Sequence, residues 1–192
     1  MSDFVLFLKL GLFHVLDWNA YDHILFLTML VVSYTFLDWR RLLMLISLFT
    51  LGHTTSLLLA NFGVVTVSSK WVEFLIPITI LTGSLYNIFT AGKKTATKGV
   101  NLLYFVTTFF GLIHGFGFAS YYKMIHQDDS LLPLLYFALG VEVAQIVIAI
   151  LWLGLAFVFK SVFNVRKRDW ILVISSIAFG MTISLLAENW VF

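Results

Sequence analysis

Long apolar stretches alternate with short polar segments along the whole chain. A membrane-spanning α-helix needs about 20 predominantly apolar residues in succession. Six stretches reach or approach that length: 20–37, 41–60, 71–91, 99–122, 133–159 and 169–188. A shorter apolar stretch, 3–16, fits an interfacial or re-entrant helix or a tilted seventh span. The pattern predicts an all-α fold, a polytopic transmembrane helix bundle of six spans with this short N-terminal helix in addition.

The composition points to the same class of protein. Of 192 residues, 60% are hydrophobic and 11% are charged, whereas a soluble domain carries about 25% charged residues. Such a chain cannot cover its surface with polar groups, so we expect residues 1–192 to form a single integral membrane domain whose solvent is the lipid bilayer. Cysteine is absent, which excludes disulfides and thiolate metal sites. The small net charge of +2 argues against nucleic acid as a partner.

The basic residues indicate how the chain is oriented. Nine of the twelve lie in or beside three alternate loops: Arg40, Arg41, Lys93, Lys94, Lys98, Lys160, Arg166, Lys167 and Arg168. The intervening loops, 61–70 and 123–132, are poorer in positive charge. Because loops rich in lysine and arginine stay on the cytoplasmic side, we expect a multi-pass protein of the cell inner (plasma) membrane with its basic loops in the cytoplasm.

A few ionisable residues lie inside or beside the predicted spans. Each costs about 2.5–3.5 kcal/mol at the centre of a bilayer on insertion scales, which makes it a functional candidate. Counting helix rise from the basic loops places most of them in the outer half of the membrane. Imidazoles and carboxylates without sulfur suit Ni(II), Zn(II), Cu(II) or Fe(II). The candidate metal ligands are His14, Asp22, His23, His53, His114 and Glu142.

The neighbours of two of these histidines add detail. Three glycines in the run 111–117 surround His114, and glycine lets membrane helices approach closely. Three hydroxyl residues, 54–56, follow His53 directly. We expect these hydroxyls to hydrogen-bond the imidazole and fix its tautomer, as the outer partners of metal ligands do.

Four segments that contain these residues resemble the HupE/UreJ family of hydrogenase and urease accessory membrane proteins. They are 22–27, 49–57, 110–119 and 140–145, and they keep the family's order. The resemblance implies a nickel permease or a metal-handling accessory protein, with the histidine and aspartate motifs in metal passage and a metalloenzyme-maturation protein or another membrane protein as partner.

The chain also departs from the family's motifs. Seven residues separate His14 from Asp22, where the family's first motif resembles H-x5-D-H. His114 stands alone in its helix, where the F-H-G-x-A-x-H-G pattern of one subfamily has a second histidine. The identity of the metal, nickel or zinc, is therefore left open.

Three functions are compatible with these residues. The leading hypothesis is a transition-metal transporter or metal-handling membrane protein whose ligands are histidines and carboxylates in the outer half of the bilayer. The second is an intramembrane zinc-dependent hydrolase for a lipid or membrane-embedded substrate, in which Glu142 or Asp22 acts as general base on a zinc-bound water. The third is a structural subunit whose polar cluster only fixes helix packing. The sequence does not decide whether the protein is an enzyme.

Overall fold

The computed structural model describes residues 2–18, 21–93, 100–125 and 130–191, without the side chains of residues 100 and 101. These residues form helices joined by turns, so the predicted all-helical membrane bundle is confirmed. Lys94, Lys98 and His126 lie outside the described residues. The helices are α1 (Asp3–Leu16), α2 (Asp22–Val31), α3 (Trp39–Asn61), α4 (Ser69–Thr90), α5 (Val100–Ile125), α6 (Leu132–Ser161) and α7 (Lys167–Glu188).

Five of these helices, α3 to α7, are long and apolar enough to cross a membrane. They agree with the predicted spans from 41–60 onward, and short connections make successive helices antiparallel. We call the end of the bundle at which α3, α5 and α7 begin the basic end. It carries the described basic residues Arg40, Arg41, Lys93, Lys160, Arg166, Lys167 and Arg168.

The predicted span 20–37 is wrong as a continuous helix. Its helical part, α2, has 10 residues, which cover about 15 Å, half of a hydrocarbon core of about 30 Å. The apolar sequence continues beyond Val31, but the backbone turns there. Donors outside the helix bond to the carbonyls at its end, which would otherwise accept from the next helical turn. Asn87 on α4 donates its side-chain N–H to the Met29 carbonyl at 2.8 Å, and Tyr34 donates its backbone N–H to the Val31 carbonyl at 2.9 Å.

Helix α1 runs from the end opposite the basic end toward the middle of the bundle. It lies parallel to the first half of α6, where the rings of Phe4 and Tyr136 stand 5.1 Å apart. Further along, Gly11 packs directly on the Phe137 carbonyl. With 14 residues, α1 covers about 21 Å and does not reach the basic end. The stretch 3–16 is therefore a partial crossing that ends inside the bundle.

Helix α2 continues the crossing from the middle of the bundle to the basic end. Val32, just after it, packs in a cluster with Trp170 and Ile171 at the start of α7. Helices α1 and α2 thus share a single crossing that is interrupted between Leu16 and Asp22. The described residues between the two helices, Asp17, Trp18 and Tyr21, are not helical. The two helices therefore have ends with free backbone groups in the middle of the bundle.

Glycines hold two pairs of helices unusually close together. On α5, a Cβ at Gly111 would overlap the Phe49 carbonyl of α3, and one at Gly115 would overlap the His53 carbonyl. On α6, a Cβ at Gly140 would overlap a carbonyl of α1. The close approach of helices expected around His114 is therefore confirmed. Helices α1 and α6 also approach closely at a glycine.

Candidate metal centre

The interruption of the first crossing brings two histidines together in the middle of the bundle. His14 lies in the last turn of α1 and His23 in the first turn of α2, and their ring centroids are 4.6 Å apart. His53 on α3 and His114 on α5 complete the cluster, at 5.9 Å and 5.3 Å from the His23 ring. Four separate helices therefore each deliver one imidazole to the same place.

The side chains form two groups with the spacing of metal ligands. His14, His23 and His53 make the first group, and Asp22, His23 and His114 make the second. Within each group, one potential ligand atom from every residue lies within 4.8 Å of the others. The two groups share His23, so an ion in either position would use the same imidazole.

Each of the four imidazoles has a buried ring nitrogen with no hydrogen-bond partner among the described residues. The atoms are His14 Nε2, His23 Nε2, His53 Nε2 and His114 Nδ1. A buried polar atom without a partner costs about 1–3 kcal/mol. Four such nitrogens close together therefore indicate a bound group that interacts with them. Imidazole nitrogens are ordinary ligands of nickel, copper, iron and zinc ions. The residues present therefore fit a transition-metal ion.

A carboxylate sets the tautomer of His23. Asp22 Oδ1 lies 3.2 Å from His23 Nδ1 and accepts a hydrogen bond from the His23 backbone N–H at 2.8 Å. The carboxylate sits at the start of α2, where the helix dipole favours negative charge. Because a carboxylate accepts, His23 Nδ1 carries the proton and Nε2 offers its lone pair. Carboxylate–histidine pairs of this kind orient metal ligands in many proteins.

A threonine sets the tautomer of His114. Thr79 on α4 is buried, and its hydroxyl donates its one proton to the Ile76 carbonyl at 2.7 Å. The same oxygen lies 3.3 Å from His114 Nε2, so toward the imidazole it acts as the acceptor. His114 Nε2 therefore carries the proton, and Nδ1, the unpartnered nitrogen, offers its lone pair.

The hydroxyl residues that follow His53 do not serve this purpose. Thr54 donates to the Thr50 carbonyl, Thr55 to the Leu51 carbonyl and Ser56 to the His53 carbonyl. The prediction that these hydroxyls fix the His53 imidazole is wrong, because each turns back to its own helix as serine and threonine commonly do. Sequence reasoning also missed Thr79, whose role depends on how α4 is rotated against α5.

Glu142 is the one predicted ligand that the structure does not bring into either histidine group. It is half-buried on α6 and accepts hydrogen bonds from Ser47 Oγ at 2.6 Å and from Thr50 Oγ1. The other five candidates, His14, Asp22, His23, His53 and His114, all belong to the two groups.

The sequence as a whole identifies the family. The family model described as "HupE / UreJ protein" matches residues 1–191. The chain belongs to the HupE/UreJ family. No curated protein and no solved structure shows significant similarity to this HupE/UreJ protein.

Aromatic rings close the cluster of this HupE/UreJ protein on its basic side. Phe26 and Phe49 lie one turn from His23 and His53, in the direction of the basic end. They stack with ring centroids 4.5 Å apart, and Phe110 lies 6.1 Å from Phe26.

A second pair of aromatic rings lies on the other side of the cluster. Phe118 and Phe137 stack at 5.1 Å, and the Phe118 ring is 4.0 Å from that of His14. The imidazoles are therefore enclosed between two aromatic layers, and His53 and His114 are each only 1% exposed.

Proposed function

We propose that this HupE/UreJ protein binds a divalent transition-metal ion, nickel or a chemically similar ion, and carries it across the membrane. The ligands are His14, His23, His53, His114 and Asp22. The observation that carries the proposal is the set of four unpartnered imidazole nitrogens, buried together and drawn from four helices. For two of the imidazoles, Asp22 and Thr79 supply acceptors that favour the tautomer that binding requires.

The interrupted crossing supports transport rather than mere storage of the ion. Discontinuous helices at the midplane form the ion sites of many membrane transporters, because their free backbone ends can face an ion. Here His14 and Asp22 flank such an interruption. The aromatic layers on both sides of the cluster correspond to a closed state, so passage requires Phe26 and Phe49 to separate at one stage and Phe118 and Phe137 at another. Membership of the HupE/UreJ family, whose resemblance implied a metal-handling role, agrees with this proposal.

The charge distribution supports one orientation of the site in the membrane. The positive-inside rule places the basic end in the cytoplasm of a cell with an inner (plasma) membrane. His53 then lies about 21 Å along α3 from that end, nearer the outer surface. The cluster would therefore receive ions from the outer side before the Phe26–Phe49 layer opens toward the cytoplasm.

The decisive experiment measures metal content and metal flux on the same preparations. Purified protein should retain about one nickel ion per chain, since the two ligand groups share His23. His23→Ala should remove most of it, and His126→Ala is the control because the sequence places His126 in the polar segment 123–132 between two predicted spans.

Flux separates transport from the hydrolase hypothesis. In proteoliposomes with an enclosed nickel-sensitive dye, the wild type should admit nickel and His23→Ala should not. Bound metal without any flux would contradict transport, and full metal content in His23→Ala would contradict the site itself.

A further inference from the structure

A cavity of about 390 Å³ lies at the side of the bundle where the first crossing is interrupted. Its walls include Trp18 and Tyr21 from the interruption, Ile24 on α2, Trp152 on α6, and Ile174 and Met181 on α7. Trp18, Met181 and Ile177, which also lines the cavity, are exposed, so the cavity is open toward the lipid. It lies beside the segment that leads directly into Asp22 and His23.

The walls of the cavity suit an apolar ligand. None of the described residues that line it is charged, and the hydroxyl of Thr28 donates to the Ile24 carbonyl of its own helix at 2.7 Å. The volume lies in the range of ligand sites, about 300–1,000 Å³. It is too small to enclose a helix of another chain, because two turns of an α-helix occupy roughly 850 Å³ or more. A single hydrocarbon chain fits the space, and the bilayer supplies such chains.

Two lysines lie at the ends of the two long helices that form the cavity. Lys160 is in the last turn of α6 and Lys167 is the first residue of α7, and their positive charges repel each other. In the part of the chain that the structure describes, neither forms an ion pair. Asp38 attracts Lys160, but its carboxylate already accepts from the Thr35 backbone N–H and hydroxyl. The two lysines therefore offer positive charge to the phosphate of a lipid.

The distance between the lysines and the cavity matches one lipid leaflet. Ile174 lies seven residues after Lys167 on the same face of α7, and Trp152 lies eight residues before Lys160 on α6. By helix rise these separations are about 10 and 12 Å, and the cavity continues along α7 to Met181, about 21 Å from Lys167. Half of the hydrocarbon core is about 15 Å thick. An acyl chain that begins beside the lysines therefore ends at the depth of the cavity.

We propose that the cavity binds one acyl chain of an anionic phospholipid from the leaflet at the basic end, with the lipid phosphate between Lys160 and Lys167. The chain runs along the outside of the bundle, since Val32, Trp170 and Ile171 fill the interior between the lysines and the cavity. The charge of the two lysines selects the headgroup, and the cavity holds the chain.

The bound chain regulates the metal site, and this part of the inference rests on the proposed function. Trp18 and Tyr21 lie between the end of α1 and Asp22, and both line the cavity. Atoms that face an empty space lack van der Waals partners. A chain in the cavity supplies them, and it thereby holds the interruption, and with it Asp22 and His23, in the arrangement that binds metal. Anionic phospholipid should therefore strengthen nickel binding.

Native mass spectrometry of the protein in detergent tests the lipid site without metal. After addition of phosphatidylglycerol or of phosphatidylcholine with the same acyl chains, the protein should retain one phosphatidylglycerol and at least several-fold less phosphatidylcholine. Lys160→Gln/Lys167→Gln should lose this preference. Arg40→Gln/Lys93→Gln is the matched control, since both residues are exposed at the basic end on other helices, and it should keep the preference. Equal retention of the two lipids by the wild type would overturn the proposal.

A tryptophan in the cavity tests whether the acyl chain lies there. Ile177 is exposed and lines the cavity, so the larger ring of Ile177→Trp fills the space from its open side and leaves the core intact. This variant should lose bound phosphatidylglycerol. Ile183→Trp, at an exposed isoleucine of α7 outside the lining, should retain it. Retention by both variants would refute the site. So would a dimer that holds no lipid and dissociates in Ile177→Trp, because the occupant would then be a second copy of the chain.

Nickel titration in nanodiscs of each lipid tests the regulation. The wild type should gain several-fold more nickel affinity from phosphatidylglycerol than Ile177→Trp does, a comparison that corrects for nickel attracted to an anionic surface. The same gain in both proteins would overturn the regulation, while the mass spectra judge the lipid site independently. Protein that binds no nickel in either lipid would refute the regulation and the proposed function together.

Discussion

Asp22 and His23 are joined by one carboxylate oxygen, which lies 2.8 Å from the His23 backbone nitrogen and 3.2 Å from its Nδ1. The same atom therefore accepts from a backbone N–H in the first turn of α2 and contacts the imidazole that both ligand groups share. This arrangement is available only because the first crossing is interrupted at that point. In a continuous helix, the His23 N–H would bond to a carbonyl of the preceding turn.

Asp22→Asn should weaken nickel binding by about 10–100-fold or more, because the Asp22 carboxylate orients the His23 imidazole and itself belongs to the second ligand group. Asparagine keeps the size of the side chain and an acceptor oxygen, but it loses the charge that stabilises the His23 Nδ1 proton. Calorimetric titration of the purified protein with nickel measures the affinity. Asp17→Asn is the control, since Asp17 is exposed and belongs to neither ligand group. Equal affinities for the two variants would show that the Asp22 carboxylate does not orient His23.

Thr79→Val should also weaken nickel binding by about 10-fold or more, with little change in packing because valine has nearly the same shape. Without the hydroxyl, the His114 Nε2–H loses its acceptor and the ring is free to place its proton on Nδ1. Thr82→Val is a matched control on the same helix, since the Thr82 hydroxyl donates to the Ile78 carbonyl of its own helix and Thr82 is exposed. A Thr79→Val variant that binds nickel as well as Thr82→Val does would exclude Thr79 from the site.

The spans could be predicted from sequence because crossing a bilayer requires a minimum apolar length, and α3 to α7 meet it. The end of α2 could not be predicted in this way. The apolar run continues through Val31 and Val32, and the backbone turns there because Asn87, far away in the chain, bonds to the Met29 carbonyl. Such a contact leaves no periodic signal in the sequence.

The histidines could be found from sequence because ionisable groups in a membrane are costly and therefore rare. Thr79 could not, because threonine is common in membrane helices and usually bonds to its own backbone. Its contact with His114 depends on the rotation of two helices. Helix rotation also accounts for Glu142. Its depth along the predicted span put it at the level of the histidines, but the rotation of α6 directs its side chain to Ser47.

Gly115→Ala should destabilise the protein by about 1–3 kcal/mol, the range for an added methyl group in a tightly packed interface. Its Cβ would overlap the His53 carbonyl and the Ser56 hydroxyl, so α3 and α5 must separate and His53 must move away from the other imidazoles. Thermal unfolding in detergent and nickel content should both fall. Gly154→Ala is the control, since a Cβ there meets nothing within 4 Å. If Gly115→Ala unfolds at the same temperature as Gly154→Ala, the α3–α5 contact is looser than described.

The orientation of the bundle can be tested with single cysteines, because the chain has none of its own. Lys93 follows α4 at the basic end and Val64 lies in the turn at the opposite end, and both are exposed. The positive-inside rule predicts that Lys93 is cytoplasmic and that Val64 faces outside. A membrane-impermeant maleimide added to intact cells should therefore modify Val64→Cys and leave Lys93→Cys unmodified until the membrane is opened. If the labelling pattern is reversed, the imidazole cluster lies nearer the cytoplasmic surface. The Phe26–Phe49 layer would then face the outside, and ions would have to pass it first on their way in.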